Sequence, residues 1–306
     1  MRMRNKRLFM TLAALVTAGA VSSLAAQEVI VPTYRGDATV VGIPSKIVAL
    51  DIAAVDTLDA LGVELGGVPD KLYVDYLEDV AAKAQSVGTL FEPNFEAIAL
   101  MGPDLIVAGG RSSDQYEPLL DIAPTIDMTI WGDDHVAQSL QRLKSFGEIT
   151  GKTAEAAAVK AAFDAKLATA QAAVTGKGSA LIVLTNGPKI SVYGEGSRFG
   201  WLHSAVGLPE NVQNVDAQTH GEAISFEFIA EANPDWLIVI DRAAAIGQDN
   251  QSAKATLDNA LVAQTTAWSK GQVIYLKSAN VYVAGGGIQS MMYTLDDLIA
   301  GFGPGA

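Results

Sequence analysis

Residues 153–175 predict one uninterrupted helix near the middle of the chain. Thr153 can act as its N-cap, Glu155 stands in the favourable first turn, and Gly176 follows as a C-terminal stop. Its large apolar residues recur at helical spacing and form one narrow stripe, at Val159, Phe163, Leu167 and Val174. At about 1.5 Å per residue this helix is roughly 34 Å long, which is enough to connect two small domains.

The segments on the two sides of this helix resemble each other. Residues 94–107 and 225–239 each read as a short capped helix, a Pro-Asp turn and a buried apolar strand. Such units can converge on similar patterns, but an arginine at the matching place after both strands is less expected, so we infer two related lobes. The pairs related by one offset of 131 positions are Glu96 and Glu227, Pro103 and Pro234, Asp104 and Asp235, and Arg111 and Arg242.

Alternating apolar strands and helices predict an α/β fold in which two α/β lobes with mainly parallel sheets are joined by the single long helix, with a ligand cleft between the lobes. The expected bounds are 27–150 for the N-terminal lobe, 151–177 for the connecting helix and 178–306 for the C-terminal lobe. Residues 27–46 read as a polar lead-in. The predicted strands are 47–50, 64–68, 104–108, 125–130, 180–184, 189–193, 236–240 and 273–276. The predicted helices besides the long one are 53–61, 76–84, 95–101, 133–150 and 288–299.

Residues 1–26 have the pattern of a secretory signal peptide, because basic residues precede an apolar run at 8–21 and a small-residue cleavage site. The run is too short for a spanning helix. The sequence contains no cysteine, so neither a lipid anchor nor disulfide or thiol chemistry is expected. We therefore expect a soluble, unanchored, monomeric protein of the periplasm.

The charge balance argues against nucleic acid as a partner. Loss of residues 1–26 would remove four positive charges and no acids, which lowers the formal charge from −13 to −17. A strongly acidic protein is repelled by phosphate backbones. The simplest explanation of most of this negative charge is a solvated, soluble protein surface.

Arginines recur at one predicted edge of both lobes. Arg111 follows a strand of the N-terminal lobe, whereas Arg198, Arg242 and Tyr282 follow strands of the C-terminal lobe. Ligands of open α/β sheets bind beyond the carboxyl ends of the strands, so these side chains are expected at one cleft. Guanidinium groups hold carboxylates and delocalised oxyanions in bidentate fashion, which predicts an anionic ligand.

His220 and Tyr282 are candidate metal ligands, because phenolate is a hard oxygen donor suited to Fe(III) and imidazole also binds iron. A residue of either kind, taken singly, is most often a surface loop residue, and it is the combination beside three arginines that suggests metal coordination. His135 opens a predicted helix and His203 lies within one, so both are read as structural or surface groups. The glycine-rich segment 194–200 is a poor match to a dinucleotide-binding loop, and no motif gives positive evidence for catalysis.

Together these features resemble the periplasmic binding proteins of iron-siderophore and cobalamin ABC importers, over essentially the whole mature chain. Within that class, the chain resembles the catecholate branch, which includes the enterobactin-fragment and petrobactin binders. The resemblance lies in the segment 193–200, the His220 loop and the loop of residues 280–282. The resemblance implies that Arg111, Arg198 and Arg242, hereafter the arginine triad, contact catecholate oxygens. It also implies that His220 and Tyr282 complete the coordination of Fe(III) held by a tetradentate siderophore.

The same resemblance implies that the protein binds and delivers its cargo without turnover and without an intrinsic cofactor. One glutamate on each lobe, Glu96 and Glu227, would dock to arginines of the importer permease, although a glutamate in a first helical turn is also favourable by itself. A stiff connecting helix predicts modest lobe closure. The alternatives are a binding protein for haem, cobalamin or another metal chelate, and a secreted α/β enzyme acting on an anionic substrate. A bare-metal site is less expected because the three histidines are spread along the chain.

Overall fold

The computed structural model describes residues 28–132, 134–216 and 220–303, so the predicted signal peptide at 1–26 lies outside the described residues. The strands are β1 Glu28–Thr33, β2 Gly36–Val41, β3 Ile47–Ala49, β4 Gly67–Val68, β5 Gln85–Ser86, β6 Leu105–Ala108, β7 Thr125–Asp127, β8 Ala180–Asn186, β9 Lys189–Tyr193, β10 Glu222–Ile224, β11 Trp236–Asp241 and β12 Val273–Tyr275. The helices are α1 Ile52–Ala60, α2 Glu78–Lys83, α3 Phe95–Met101, α4 Tyr116–Leu120, α5 His135–Ile149, α6 Thr153–Val174, α7 Trp201–Ser204, α8 Phe226–Ala232, α9 Arg242–Ile246, α10 Ala253–Leu257, α11 Thr266–Ser269, α12 Ser278–Tyr282 and α13 Ile288–Gly301. Short 3-10 helices cover Asp75–Leu77, Gly110–Gln115 and Val262–Gln264.

The described strands form two five-stranded sheets with the same order of strands. The order is β5-β4-β3-β6-β7 in the N-terminal half and β10-β9-β8-β11-β12 in the C-terminal half. All pairs of the first sheet are parallel. In the second sheet β8, β11 and β12 are parallel, whereas β9 runs antiparallel to both of its neighbours, β8 and β10. The predicted α/β fold with mainly parallel sheets is confirmed.

The internal repeat extends to the ends of the two matching helices. At the start of α3 and α8, Asn94 and Ser225 each accept a hydrogen bond from the backbone N–H three residues later. The two helices end at Gly102 and Asn233, which both adopt the left-handed conformation. The same offset of 131 positions that relates the sequence segments relates both pairs of caps.

The repeated Pro-Asp turns also have one structural role. The Asp104 carboxylate accepts hydrogen bonds from the backbone N–H groups of Ser45 and Lys46, just before β3. The Asp235 carboxylate accepts an equivalent bond from the backbone N–H of Ser179, just before β8. Each aspartate therefore holds the segment that leads into the central strand of its own sheet.

The long helix α6 is confirmed, with a difference at its start. Thr153 is the first helical residue rather than the N-cap, a position taken by Lys152 without a side-chain hydrogen bond. The buried stripe contains Phe163 and Val174 as predicted, and also Ala156 and Ala170. α6 packs between α5 and α13, so it connects the two halves as part of a helical layer.

Three expectations about element bounds were wrong. The N-terminal segment is the antiparallel hairpin β1–β2 rather than a polar lead-in. The strand expected at 64–68 is reduced to Gly67–Val68. β7 ends at Asp127, because the Asp127 carboxylate accepts hydrogen bonds from the backbone N–H and hydroxyl of Thr129 and turns the chain out of the sheet. Among the described residues, no helix combines the length and the apolar character that crossing a bilayer requires.

Candidate functional site

A cavity of about 430 Å³ lies where the carboxyl-end loops of the two sheets meet. Elements from both halves of the chain line it. Arg111 and Arg242 follow the carboxyl ends of β6 and β11, as the strand edges predicted. Arg198 follows β9, which runs antiparallel to β8, so the loop after β9 and not the strand edge brings it to the cavity. The five side chains singled out in the sequence all border this one cavity: Arg111, Arg198, His220, Arg242 and Tyr282. Their roles in binding remain predictions, but the fold does bring them together.

Tyr282 is the common partner of the arginine triad. Its backbone carbonyl oxygen accepts hydrogen bonds from Arg111 Nη2 at 3.1 Å and from Arg198 Nη2 at 2.9 Å. Its hydroxyl oxygen accepts a hydrogen bond from Arg242 Nε at 3.1 Å. The three guanidinium carbons lie 5.5, 4.9 and 5.9 Å from the centre of the tyrosine ring, within cation–π range. One residue thus gathers three cations that would otherwise repel each other.

The placement of Tyr282 in a loop was wrong, because it is the last residue of the short helix α12. Five residues are too few for the apolar periodicity from which a helix is recognised. The helix turns the Tyr282 ring towards the cavity and leaves it half-buried. The three glycines at 285–287 then lead into α13.

The glycine-rich segment 194–200 is a tight turn that positions Arg198. A side chain at Gly200 would collide with the carbonyl of Glu195, so only glycine fits there. The Ser197 hydroxyl closes the turn by donating to the carbonyl of Gly194 at 2.6 Å. This segment has a structural explanation that does not involve a dinucleotide.

Arg198 is partly buried in the cavity wall beside Arg111 and Tyr282. Burial lowers the pKa of its guanidinium, the neighbouring Arg111 lowers it further, and Tyr282 and Tyr193 act in the opposite direction. Since guanidinium starts from a pKa above 12, the group stays positively charged at any physiological pH. The cavity wall therefore carries a fixed positive charge in a protein of formal charge −13.

His220 lies exposed at the mouth of the cavity, directly after residues 217–219, which are not described. Within the described ranges, no group of three or more His, Asp or Glu side chains is arranged to hold a bare metal ion. His220 and Tyr282 offer two donors, an imidazole and a phenol, at one cavity. Such a pair suits a metal whose other positions are filled by a chelator.

A buried ion pair in the cavity wall was missed by the sequence analysis. Arg142 of α5 has only 3% of its side chain exposed and lies 3.4 Å from the Asp51 carboxylate. The same guanidinium donates to the carbonyl of Met128. Asp51 comes directly after the predicted strand 47–50, a signal that places it at the cleft edge. Arg142 gave no such signal, because it reads as an ordinary polar residue of a helix.

His135, read from the sequence as a structural or surface group, also borders the cavity. Burial lowers the pKa of the His135 imidazole to about 4, with Arg142 and Arg198 as additional causes. The ring is therefore neutral near pH 7 and adds no charge to the wall. His203, in contrast, is structural as expected: it is buried in α7 with Nδ1 2.8 Å from the carbonyl oxygen of Leu208.

The paired glutamates occupy matching exposed positions. Glu96 and Glu227 both lie in the first turn of their helices, α3 and α8. Each helix runs back before the strand that follows it, which directs its N-terminus towards the carboxyl-end side of the sheet, where the cavity lies. The pKa of Glu227 is lowered by its own backbone N–H and by the Ser225 hydroxyl.

The two similar lobes, the connecting helix and the shared cavity define a solute-binding protein of the two-lobed type. The chain matches the profile of the family described as periplasmic binding protein over residues 47–279, and it belongs to that family. It is 35% identical to the petrobactin-binding protein YclQ of Bacillus subtilis, over 83% of this chain and 81% of that protein. It is 32% identical to the ferric-anguibactin-binding protein FatB of Vibrio anguillarum, over 90% of this chain and 87% of that protein.

Solved structures agree with this assignment. The crystal structure of YclQ superposes with a TM-score of 0.84 at 33% identity, covering 91% of this chain and 99% of that one. The periplasmic catecholate-siderophore binding protein VctP of Vibrio cholerae gives a TM-score of 0.82 at 30% identity, covering 90% of this chain and 100% of that one. All three relatives named here are binding proteins.

Proposed function

We propose that this protein captures an anionic Fe(III)-catecholate siderophore complex in the periplasm and delivers it to an ABC importer. The observation that carries the proposal is the gathering of Arg111, Arg198 and Arg242 around Tyr282 in one cavity between two lobes. Fixed guanidinium groups suit a cargo whose charge is delocalised over catecholate oxygens. The relatives YclQ, FatB and VctP, which are named for binding petrobactin, ferric anguibactin and catecholate siderophores, support a siderophore cargo.

Capture needs no chemical step. Arg111 and Arg198 already point donors at one acceptor, the carbonyl oxygen of Tyr282, and can transfer them to ligand oxygens without a large rearrangement. Pre-organised donors cost less to order on binding, which favours affinity. The negative charge of the whole protein repels anions, so the local field of the arginine triad must dominate in the cavity.

His220 and Tyr282 would complete the coordination of iron when the siderophore is tetradentate and leaves two positions open. The Tyr282 hydroxyl oxygen accepts from Arg242 Nε, and a phenolate oxygen bound to Fe(III) can keep this hydrogen bond. A hexadentate siderophore fills all six positions and gains nothing from these two residues.

The test compares tetradentate and hexadentate ferric catecholates, by tryptophan fluorescence quenching and by the visible charge-transfer band. We expect the double variant His220→Ala, Tyr282→Phe to lose affinity and the band shift for the tetradentate complex, and to bind the hexadentate complex nearly as tightly as the wild type. Equal losses for both complexes would contradict the coordination role. Absence of binding by the wild type to any ferric catecholate would remove the proposed function and direct attention to haem and cobalamin.

For delivery, we propose that Glu96 and Glu227 contact basic residues of an importer permease of the iron-siderophore and cobalamin class. Substitution of either by lysine should reduce the stimulation of importer ATPase activity and leave siderophore affinity unchanged, because neither residue borders the cavity. Glu117→Lys is a matched control, since Glu117 is an exposed acid in the first turn of α4. A loss as large in the control would mean that overall charge, and not docking, is responsible.

We also propose that residues 1–26 are removed on export, that the mature chain is a monomer without a membrane anchor or an intrinsic cofactor, and that its lobes are 27–150 and 178–306. Mass spectrometry of the periplasmic fraction would give the mature N-terminus and any lipid. Light scattering would give the oligomeric state. A retained N-terminal segment, or a dimer, would require revision of this part.

A further inference from the structure

Residues 109–113, hereafter the Arg111 segment, follow β6 and are held by side chains at the end of the neighbouring strand β7. Just before the arginine, the backbone N–H of Gly110 donates to the Thr129 hydroxyl oxygen at 2.9 Å. That hydroxyl donates in turn to one oxygen of the Asp127 carboxylate at 2.6 Å. Asp127 is the last residue of β7 and is fully buried. The first link of the segment therefore ends at a buried carboxylate.

The second link starts after the arginine and ends at the other oxygen of the same carboxylate. The Ser113 hydroxyl donates to this oxygen of Asp127 at 2.6 Å. Arg35, from the turn of the hairpin β1–β2, donates to the same oxygen through Nε at 2.9 Å and to the Ser113 carbonyl oxygen through Nη2 at 2.8 Å. The Arg35 guanidinium also lies 4.6 Å from the centre of the Tyr116 ring. Both oxygens of one carboxylate thus hold the Arg111 segment.

This network lies behind the cavity wall and not in it. Arg111 borders the cavity and reaches the carbonyl oxygen of Tyr282, whereas Arg35, Ser113 and Asp127 do not border the cavity. A long, flexible side chain keeps one orientation only if the backbone beneath it is fixed and its surroundings support it. A buried carboxylate is costly unless it is fully hydrogen-bonded, so this network is stable only with its partners in place.

We propose that Asp127 and Arg35 are positioning residues for ligand binding, which fix the Arg111 segment so that its guanidinium receives an oxyanion of the cargo. This inference deepens the proposed function and rests on it. It also gives the hairpin β1–β2 a role in binding, because Arg35 carries the support from the hairpin to the segment.

The charge of Asp127 separates positioning from electrostatics. Asp127→Asn removes a negative charge, so charge alone predicts unchanged or tighter binding of an anionic complex. Positioning predicts weaker binding, because an asparagine amide accepts hydrogen bonds at one of the two oxygen positions only, and one link of the segment is lost. The expected loss of affinity is about fivefold, which corresponds to roughly one hydrogen bond.

Two further variants and one control accompany Asp127→Asn, all titrated calorimetrically with the ferric complex of a tetradentate bis-catecholate. Arg35→Lys keeps the charge and loses the fork that joins Asp127 to Ser113, and Ser113→Ala changes no charge. Each should weaken binding by about three- to fivefold. The matched control is Asp104→Asn, because Asp104 holds the backbone before β3 in the same lobe and does not border the cavity. It should lower stability towards urea and leave affinity unchanged.

A double-variant cycle with Arg111→Met tests whether the effect passes through Arg111. In the Arg111→Met background, Asp127→Asn should change affinity by less than about twofold, because no guanidinium is left to position. A loss as large as in the wild-type background would show a general structural effect and overturn the proposal. Unchanged or tighter binding by Asp127→Asn alone, with normal binding by the wild type, would also overturn it and leave the proposed function standing.

Hydrogen exchange measured by mass spectrometry gives a readout that needs no ligand. Peptides that contain residues 109–113 should exchange faster in Asp127→Asn than in the wild type or in Asp104→Asn, because the backbone of the segment loses its support. Equal exchange in all three proteins would contradict the positioning role. If the wild type binds no ferric complex, the proposed function is wrong, and the exchange comparison alone decides whether Asp127 fixes the Arg111 segment.

Discussion

At the scale of single residues, the geometry of the arginine triad matters more than its charge. Each of Arg111, Arg198 and Arg242 makes a defined hydrogen bond to Tyr282, so each guanidinium has a set orientation. Hydrogen bonds to charged groups contribute about 1.5–3 kcal/mol, which corresponds to roughly ten- to hundredfold in affinity. Arg198→Met or Arg242→Met should therefore weaken binding of an anionic ferric catecholate by that factor, measured by calorimetry.

Lysine at either position keeps the charge and loses the planar fork, so Arg198→Lys and Arg242→Lys should recover only part of the affinity. The control is Lys254→Met, which removes an exposed positive charge that does not border the cavity. Full recovery by lysine would mean that the site senses net charge alone.

At the scale of elements, the close contact between α5 and α6 depends on one glycine. A Cβ at Gly147 would lie 2.7 Å from the Cβ of Ala156 and 3.2 Å from the carbonyl oxygen of Lys152. Gly147→Ala should therefore lower the free energy of unfolding by about 1–3 kcal/mol through overpacking. Urea denaturation measures the change.

The compensating variant makes this prediction specific. Ala156→Gly alone should cost about 1 kcal/mol, because glycine is unfavourable inside a helix. The double variant Gly147→Ala, Ala156→Gly removes the clash, so it should be more stable than the sum of the single effects predicts. Strict additivity would show that the two Cβ atoms do not compete for space.

The start of α13 is held by a buried carboxylate from α1. Asp56 accepts hydrogen bonds from the backbone N–H groups of Gln289 and Ser290, both at 2.8 Å, and from the Tyr76 hydroxyl at 2.7 Å. Burial raises the pKa of the Asp56 carboxyl to about 7, and these hydrogen bonds, with the charge of Arg142, oppose only part of the rise. Through this contact the N-terminal half positions the helix that follows the cavity residues 282–286.

Two buried groups should give opposite pH dependences of stability. The raised pKa of Asp56 means that the native state binds the proton more tightly than the unfolded state, so its contribution to stability is lost as the pH rises from about 4 to about 7. The lowered pKa of His135 means the reverse, so its contribution grows as the pH rises from about 4 to 6.5. The shifts are of similar size, so the two contributions largely cancel in the wild type.

Single variants should reveal each contribution in urea denaturation series between pH 4.5 and 7.5. Asp56→Asn should become more stable as the pH rises, because the contribution of His135 is then no longer opposed by that of Asp56, and His135→Asn should become less stable. Asp70→Asn and His220→Asn are controls at exposed positions and should keep the wild-type profile. A wild-type profile in Asp56→Asn would show that this carboxyl does not titrate in that range.

At the scale of the whole molecule, several connections limit the movement of the lobes. α13 packs against both α6 and α1, so the last helix of the chain returns to the N-terminal half. Arg111 also reaches from the N-terminal sheet to the carbonyl oxygens of Tyr282 and Val283. The lobes are thus connected at α6, at α13 and, across the cavity, by the hydrogen bonds of Arg111.

We therefore expect little compaction on loading. In small-angle scattering, the radius of gyration, roughly 19 Å for a compact chain of this length, should change by less than about 1 Å when a ferric catecholate is added. The reference is the radius of gyration of the mature protein, measured both alone and with the iron-free siderophore. A decrease of several ångströms would indicate a wide hinge motion and contradict the stiff connection.

Much of the fold was predictable because its signals are local. Each of these signals involves a few neighbouring residues, whose conformations depend on sterics and short-range hydrogen bonds. Examples are the helix caps Asn94 and Ser225, the Pro-Asp turns, and the apolar stripe of α6 that contains Phe163. The hairpin β1–β2 was missed, since exposed strands of mixed polarity lack a clear alternation. Tyr282 was assigned to a loop for a similar reason, because α12 is too short to show a period.

The amino-acid order by itself determined the two related lobes, the long helix between them and the places of Arg111 and Arg242 after matching strands, because these features follow from local pattern and repeat offset. Arg198 follows the antiparallel strand β9, so only the tertiary structure brings it to the cavity. Only the tertiary structure decided which groups meet there. Arg111 contacts Tyr282 across 171 positions, and Arg142 is buried against Asp51 from a helix with no distinguishing pattern. Such contacts depend on how distant elements pack, which no short segment of sequence records.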